Sequence, residues 1–265
     1  VALQKKFFGY FLKGEDTGMR SHPKVTLQVR HIDHYVERAE QEWPLARTQW
    51  TRYYFEPQSG ALTPTEPQFS VSIGYETQGD GLMFLSAPLD SPMEITGPSA
   101  VKMKISSSTT DTDVFVILRV FRPDGKEVTF HGSNDPRTPI GMGWLRASHR
   151  KLDPQKTLPY RPYHTHDELQ ALTPNVPVDL DVEVWPTCIV IPKGFRFGVS
   201  IRGRDYESMG EPLSVPGFKY TLTGVGPFIH DHPVNRPKEV FQNTTHIHFK
   251  EGEQPFILLP IVAQT

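Results

Sequence analysis

Val178-Asp-Leu-Asp-Val-Glu-Val184 alternates without a fault: Val178, Leu180, Val182 and Val184 take one face, Asp179, Asp181 and Glu183 the other. Period two marks a strand with one buried face, because successive side chains of extended chain point to opposite sides. Phe195, Phe197, Val199 and Ile201 repeat the pattern against Arg196, Ser200 and Arg202. Val101, Met103 and Ile105 do so against Lys102 and Lys104. Val114-Phe-Val-Ile-Leu118 is instead continuously apolar, as a strand covered on both faces requires. Arg122-Pro-Asp-Gly125 follows as a turn, with Pro presetting φ and Gly taking positive φ, and predicts a hairpin to Glu127–His131. Lys24–Arg30, Gln49–Phe55, Thr245–Phe249 and Phe256–Val262 add further strands, while Glu56–Gly81 reads as connection and turns. At least eight strands with no long helix predict a mainly β protein, an antiparallel sandwich of jelly-roll type.

Composition agrees. The chain of 265 residues carries 25 Pro, nearly twice the usual share of about 5%, which excludes a mainly helical protein. A net charge of −2 with no long basic run gives no electrostatic footprint for nucleic acid. One Cys excludes an intrachain disulfide framework. No stretch of 18 apolar residues occurs, and Val1–Tyr10 lacks a signal peptide's apolar region. The expectation is no membrane partner and a compartment leaning to the cytoplasm.

Residues 1–13 differ from the rest. Leu3, Phe7, Phe8, Phe11 and Leu12 recur at helical spacing, and Lys13-Gly14 supplies a stop. Each large apolar group left in water costs roughly 1.5–3 kcal/mol relative to burial. The face therefore needs a partner surface, and with no capping residue ahead of it the expectation is that the chain begins inside a larger protein.

Candidate chemistry is sparse. A nucleophile elbow needs Gly on both sides of Ser, and the nearest approaches, Gly97-Pro-Ser99 and Gly198-Val-Ser200, lack the second Gly and lie in strands. Cys188 sits in an apolar stretch and reads as an inert thiol. Three His-x-His pairs occur, His164/His166, His230/His232 and His246/His248. On a strand such pairs share a face and can chelate metal, but a further ligand with convincing spacing is missing. They read as solvated or hydrogen-bonded histidines, so no metal and no cofactor is expected. Asp179, Asp181 and Glu183 line one outward strand face, where they meet solvent or Arg196 and Arg202 rather than flank a glycosidic cleft. Asn243-Thr-Thr245 matches a glycosylation sequon, a triplet common by chance.

Longer stretches carry a resemblance. Leu85–Pro98, Thr112-Asp113 leading into Val114–Leu118, Pro123-Asp-Gly125, Gly143–Arg150, Val184-Trp-Pro-Thr187, Pro192–Phe197 and Ile257–Ile261 follow one another in a familiar order. Together they resemble the C-terminal, non-catalytic β-sandwich, galactose-binding-like in fold, of the cocaine esterase / X-prolyl dipeptidyl-peptidase family of serine hydrolases. Phe7–Asp16 and Glu42–Thr48 are similar to the end of that family's α/β-hydrolase domain. The resemblance implies that residues 1–48 are the C-terminal remnant of the α/β-hydrolase domain and 49–265 the accessory sandwich. It also implies that the catalytic Ser, Asp and His all precede this segment. His22, His31 and His34 fall after the family's catalytic His, so no residue here takes a triad role and the chain alone is expected to be inactive. The implied partners are the α/β-hydrolase catalytic domain and, through it, a small ester or peptide substrate, with a homo-oligomer left open. Trp144 and Trp185 are expected as core or domain-interface anchors, Arg146 and Arg150 as hydrogen-bonded inside the fold. The alternative is a free-standing carbohydrate- or ligand-binding jelly-roll module, which has no need of helix 1–13 or strand 24–30.

Overall fold

The computed structural model describes residues 1–132, 135, 137–208 and 229–263. The chain opens with helix α1, Ala2–Lys13, closed as predicted by Gly14 in the left-handed region (φ 70°). Among the described residues fourteen strands follow: β1 Val25–Arg30, β2 Tyr35–Glu40, β3 Thr48–Glu56, β4 Ala61–Thr63, β5 Val71–Glu76, β6 Leu82–Ser86, β7 Met93–Ser107, β8 Asp113–Phe121, β9 Glu127–Val128, β10 Gly141–Arg146, β11 Val178–Ile191, β12 Arg196–Arg202, β13 Thr244–Phe249 and β14 Phe256–Val262. A single helical turn, α2, Lys238–Phe241, precedes β13.

All the strands join one sheet, in the order β10-β8-β12-β6-β4-β3-β14-β7-β11-β1-β2, with β13 bridging β5 to β7 and β9 pairing β8. The sheet is mixed, which corrects the all-antiparallel expectation: β1 runs parallel to β11 and β4 parallel to β6. Glu56–Gly81 is also more than connection, since it holds β4 and β5. Both are short or exposed along most of their length, so neither leaves a strong alternating pattern.

The sheet curls until its β10 end meets β11. Gly143 permits this contact, because a Cβ there would stand 1.8 Å from the Glu183 carbonyl oxygen. One continuous core fills the curl, with Phe84, Val116, Leu118 and Val199 packing in the same cluster as Ile105, Val182 and Ile257. The strand read as doubly covered is so. Val114, Val116 and Leu118 enter this core, while Phe115 and Ile117 pack with Tyr206 in a second cluster on the opposite face.

On β11, Leu180, Val182 and Val184 are buried as the alternation requires. Asp179 and Asp181, however, lie in register opposite Lys104 and Lys102 of β7, not beside Arg196 and Arg202. Asp181 meets Lys102 Nζ at 2.9 Å. The arginines belong to β12, which pairs with β6 and β8 instead.

β1 and β2 join the sheet by backbone pairing, with Leu27 and Val29 buried, and are braced by charge as well. Arg38 on β2 donates two hydrogen bonds to Glu94 on β7, at 2.9 and 2.6 Å, and its Nε lies 2.8 Å from Glu40. Arg30 donates to the Ile140 carbonyl at 2.9 Å and to Thr187.

Candidate functional site

Where β10 presses on β11, a cleft of about 470 Å³ opens. Two local features build it. Gly143 lets the strands touch, which brings Trp144 beside β11. The β7–β11 register then shifts between Val184 and Thr187, a bulge that leaves Trp185 and Pro186 outside the pairing. Trp144 and Trp185 meet there with ring centroids 5.1 Å apart. Both are solvent-facing, 40% and 59% exposed, which excludes the core half of the expectation and leaves the domain-interface half.

His230 lies against this pair, 5.5 Å from Trp144 and from Phe115. Asp205 fixes it twice, accepting from the His230 backbone N–H at 2.7 Å and from Nδ1 at 2.8 Å. That hydrogen bond is the main reason the imidazole is held above its ordinary value. At the floor, Asp113 accepts from Arg146 Nε and Nη2 at 2.8 and 3.1 Å, and Arg236 Nε stands 3.0 Å from its other side. Arg146 is thus bonded within the fold, as expected. So is Arg150, which donates to the carbonyls of Ala147, at 3.1 Å, and Gln170.

The far wall carries His149, His164, His166 and Glu183. Burial pushes the Glu183 carboxyl up. The pair His164/His166 thus converges with His230 on one cleft, although the two pairs are 64 residues apart in sequence. The third pair does not join them: His246 and His248 lie on β13, and His248 Nε2 meets Ser106 Oγ at 2.8 Å.

Among the described residues none lining the cleft is Ser, Thr or Cys, so these offer no hydroxyl or thiol for acyl transfer. Its means are two aromatic faces, an oriented imidazole and half-buried polar groups, which suit binding. Elsewhere, Ser99 and Ser200 lie within β7 and β12, almost fully buried. Cys188 is half-buried on β11, and burial pushes its thiol up, away from a reactive thiolate. His22, His31 and His34 are scattered around β1, where His31 stacks on His34 at 4.5 Å. The sequon is structural. Asn243 is 3% exposed, and its Nδ2 donates to the carbonyls of Asp111 and Val240 at 3.0 and 2.8 Å, leaving no free amide for a glycan.

Residues 17–257 match the family described as the X-Pro dipeptidyl-peptidase C-terminal non-catalytic domain. The chain belongs to this family. Two relatives are each 27% identical: a candidate serine esterase of Mycobacterium bovis, over 241 residues, 76% of this chain and 35% of that protein, and the cocaine esterase of a Rhodococcus species, over 166 residues, 48% and 29%. In structure the chain is similar to a CocE/NonD family hydrolase of Staphylococcus aureus, with a TM-score of 0.81, 22% identity, and coverage of 98% of this chain and 45% of that one. It therefore spans about a third of the relatives' length and under half of the solved structure's. The family is thus that of a non-catalytic C-terminal domain, and the structural likeness is one of fold.

The cleft could not be assembled from sequence. Val184-Trp-Pro-Thr187 and Gly143-Trp-Leu-Arg146 were visible only as parts of the resemblance. The one local clue was a Trp-Pro pair interrupting an otherwise regular strand, which marks a bulge.

Proposed function

We propose that this chain is the accessory sandwich of a serine hydrolase that cleaves esters or amides, X-prolyl dipeptides among them, by an acyl-enzyme route. In this reading Ser attacks, His shuttles the proton, an acid orients the His and backbone N–H groups hold the oxyanion. All of these stand on the α/β-hydrolase domain, with residues 1–48 as the C-terminal remnant of that domain, joined to the sandwich's sheet through β1 and β2, and 49–265 folding as a galactose-binding-like jelly roll.

The observation that carries the proposal is helix α1. Phe7, Phe8 and Phe11 are 43%, 50% and 60% exposed, with Phe7 edge-on to Phe8 and tilted against Phe11. Burying the remaining half of each ring is worth roughly 1 kcal/mol apiece. Among the described residues its side-chain hydrogen bonds run to its own C-terminal neighbours: Thr17 Oγ1 donates to the Lys6 carbonyl at 2.7 Å and Arg20 Nε to Tyr10 Oη at 2.9 Å. An α/β-hydrolase domain is the surface this face fits, given the family and the share of its relatives the chain spans.

The test is activity of the isolated chain on a nitrophenyl ester and on an X-Pro dipeptide substrate. No turnover and no labelling by a fluorophosphonate are expected, with both appearing when the α/β-hydrolase domain is supplied. A labelled serine on this chain contradicts the proposal. The Trp144/Trp185 cleft favours a second reading, a carbohydrate- or ligand-binding module. Saturable glycan binding lost in Trp185→Ala, with no hydrolase domain attached or encoded alongside, would put that reading first.

A further inference from the structure

One wall of the cleft holds three imidazoles that neither reading uses. His149 ends the 3-10 turn after β10, and His164 and His166 lie on the loop that leads into β11. His149 Nδ1 and His166 Nδ1 are 3.0 Å apart. One of the two must carry the proton the other accepts. His166 holds that position at φ 53°, a left-handed backbone that non-glycine residues adopt rarely, and such strain gathers at functional sites. His164 stands with its ring centroid 6.0 Å from His166, and its Nε2 is buried without a hydrogen-bond partner.

We propose that His149, His164 and His166 form a capture site for a divalent transition metal of the zinc class. Two nitrogens bound to one tetrahedral zinc at about 2.0–2.1 Å stand roughly 3.3 Å apart, so the Nδ1 pair already has close to the bite a metal needs. Among the described residues no three donors yet surround a common point, so the His164 ring completes the set by swinging its idle Nε2 inward. Neutral imidazole suits zinc, nickel and copper, and excludes magnesium and calcium, which take oxygen ligands. Lys151 is held in its own ion pairs with Asp167 and Glu168, each at 3.2 Å. A bound ion would clamp the 150–177 loop to the end of β10 and set the Trp144 side of the cleft. This inference does not depend on the hydrolase reading.

The test uses untagged protein, Zn²⁺ for calorimetry and Cu²⁺ for electron paramagnetic resonance. Two variants keep the fold testable: His166→Asn, since Asn tolerates a left-handed backbone, and His149→Gln. One equivalent of Zn²⁺, weakening as pH drops below 6.5, and Cu²⁺ spectra with nitrogen hyperfine splitting are expected. Each variant should weaken binding by roughly tenfold or more, while keeping the metal-free melting temperature, and His246→Asn should change nothing. No stoichiometric binding overturns the proposal. So does binding that survives both variants, or that His246→Asn abolishes.

Discussion

Replacing Glu94 by Gln tests whether charge, as well as backbone pairing and apolar burial, fastens β1 and β2 to the sandwich. The Glu94 side chain is 5% exposed and Arg38 28%. Glu94 accepts two hydrogen bonds from Arg38, at 2.9 and 2.6 Å, and a third from Thr96 Oγ1 at 2.7 Å. Burial drives this carboxyl up, but the bonds from Arg38 and Thr96 outweigh that and hold it below the usual range. Gln preserves the volume, removes the charge and turns an N–H₂ toward the guanidinium donors. Breaking a buried pair costs about 3–5 kcal/mol. Arg38 keeps Glu40 at 2.8 Å and has some access to water, which places Glu94→Gln at the low end, about 3 kcal/mol. In urea, with a slope of about 3 kcal/mol per molar, the midpoint should fall by about 1 M. The sign of the pH dependence follows from the lowered carboxyl. Wild type holds its advantage above the ordinary carboxylate value of 4.5 and loses it as pH falls through the lower folded value. A loss under about 1 kcal/mol, the range of screened surface pairs, refutes the reasoning.

Gly143→Ala should destabilise the chain by at least the upper part of the roughly 1–3 kcal/mol that overpacking costs, because the new methyl meets the Glu183 carbonyl. Thermal melting within a degree of wild type would show that β10 does not press on β11. Asn243→Ala removes one donor from each of the Asp111 and Val240 carbonyls, which keep Thr109 Oγ1 at 2.9 and 2.6 Å, and should cost about 0.5–1.5 kcal/mol, read by urea denaturation. His164 is held below 6.5 chiefly by burial, so the unfolded chain gains a proton first and stability falls as pH drops below 6.5. His164→Gln should flatten that fall. His230 is the opposite case: its raised value makes its contribution complete below 6.5 and lost as pH rises through the folded value. The gap between wild type and Asp205→Asn should accordingly be widest on the acid side.

Alternation made the sheet legible. Val178–Val184 buries one face, so period two alone marked it, whereas Phe197–Arg202 keeps the same alternation with both faces buried, Ser200 and Arg202 included. The same signal understated β7, which is buried on both faces from Glu94 to Val101 and carries Gly97-Pro98 in its middle. It missed β2, whose Tyr35 and Val36 are exposed and which is braced by Arg38 and Arg47 against Glu94 and Glu40. Curling was invisible because it depends on one close approach, Gly143 to Glu183, between residues 40 positions apart. The cleft shares that cause. Asp113, Trp144, His166, Trp185 and His230 come from five separate segments, and only the register shift after Val184 and the meeting of β10 with β11 bring them together.

Docking through α1 is the central claim, and a photo-crosslinker placed at Phe11 in otherwise intact protein tests it most directly. The side chain is 60% exposed and tilted against Phe7, so the probe replaces a ring at the surface without entering a core. Adducts should be resolved by peptide mass spectrometry. The account predicts crosslinks to peptides of an α/β-hydrolase domain carrying the nucleophile Ser. Crosslinks confined to residues 49–265, or to a second copy of α1, would contradict it.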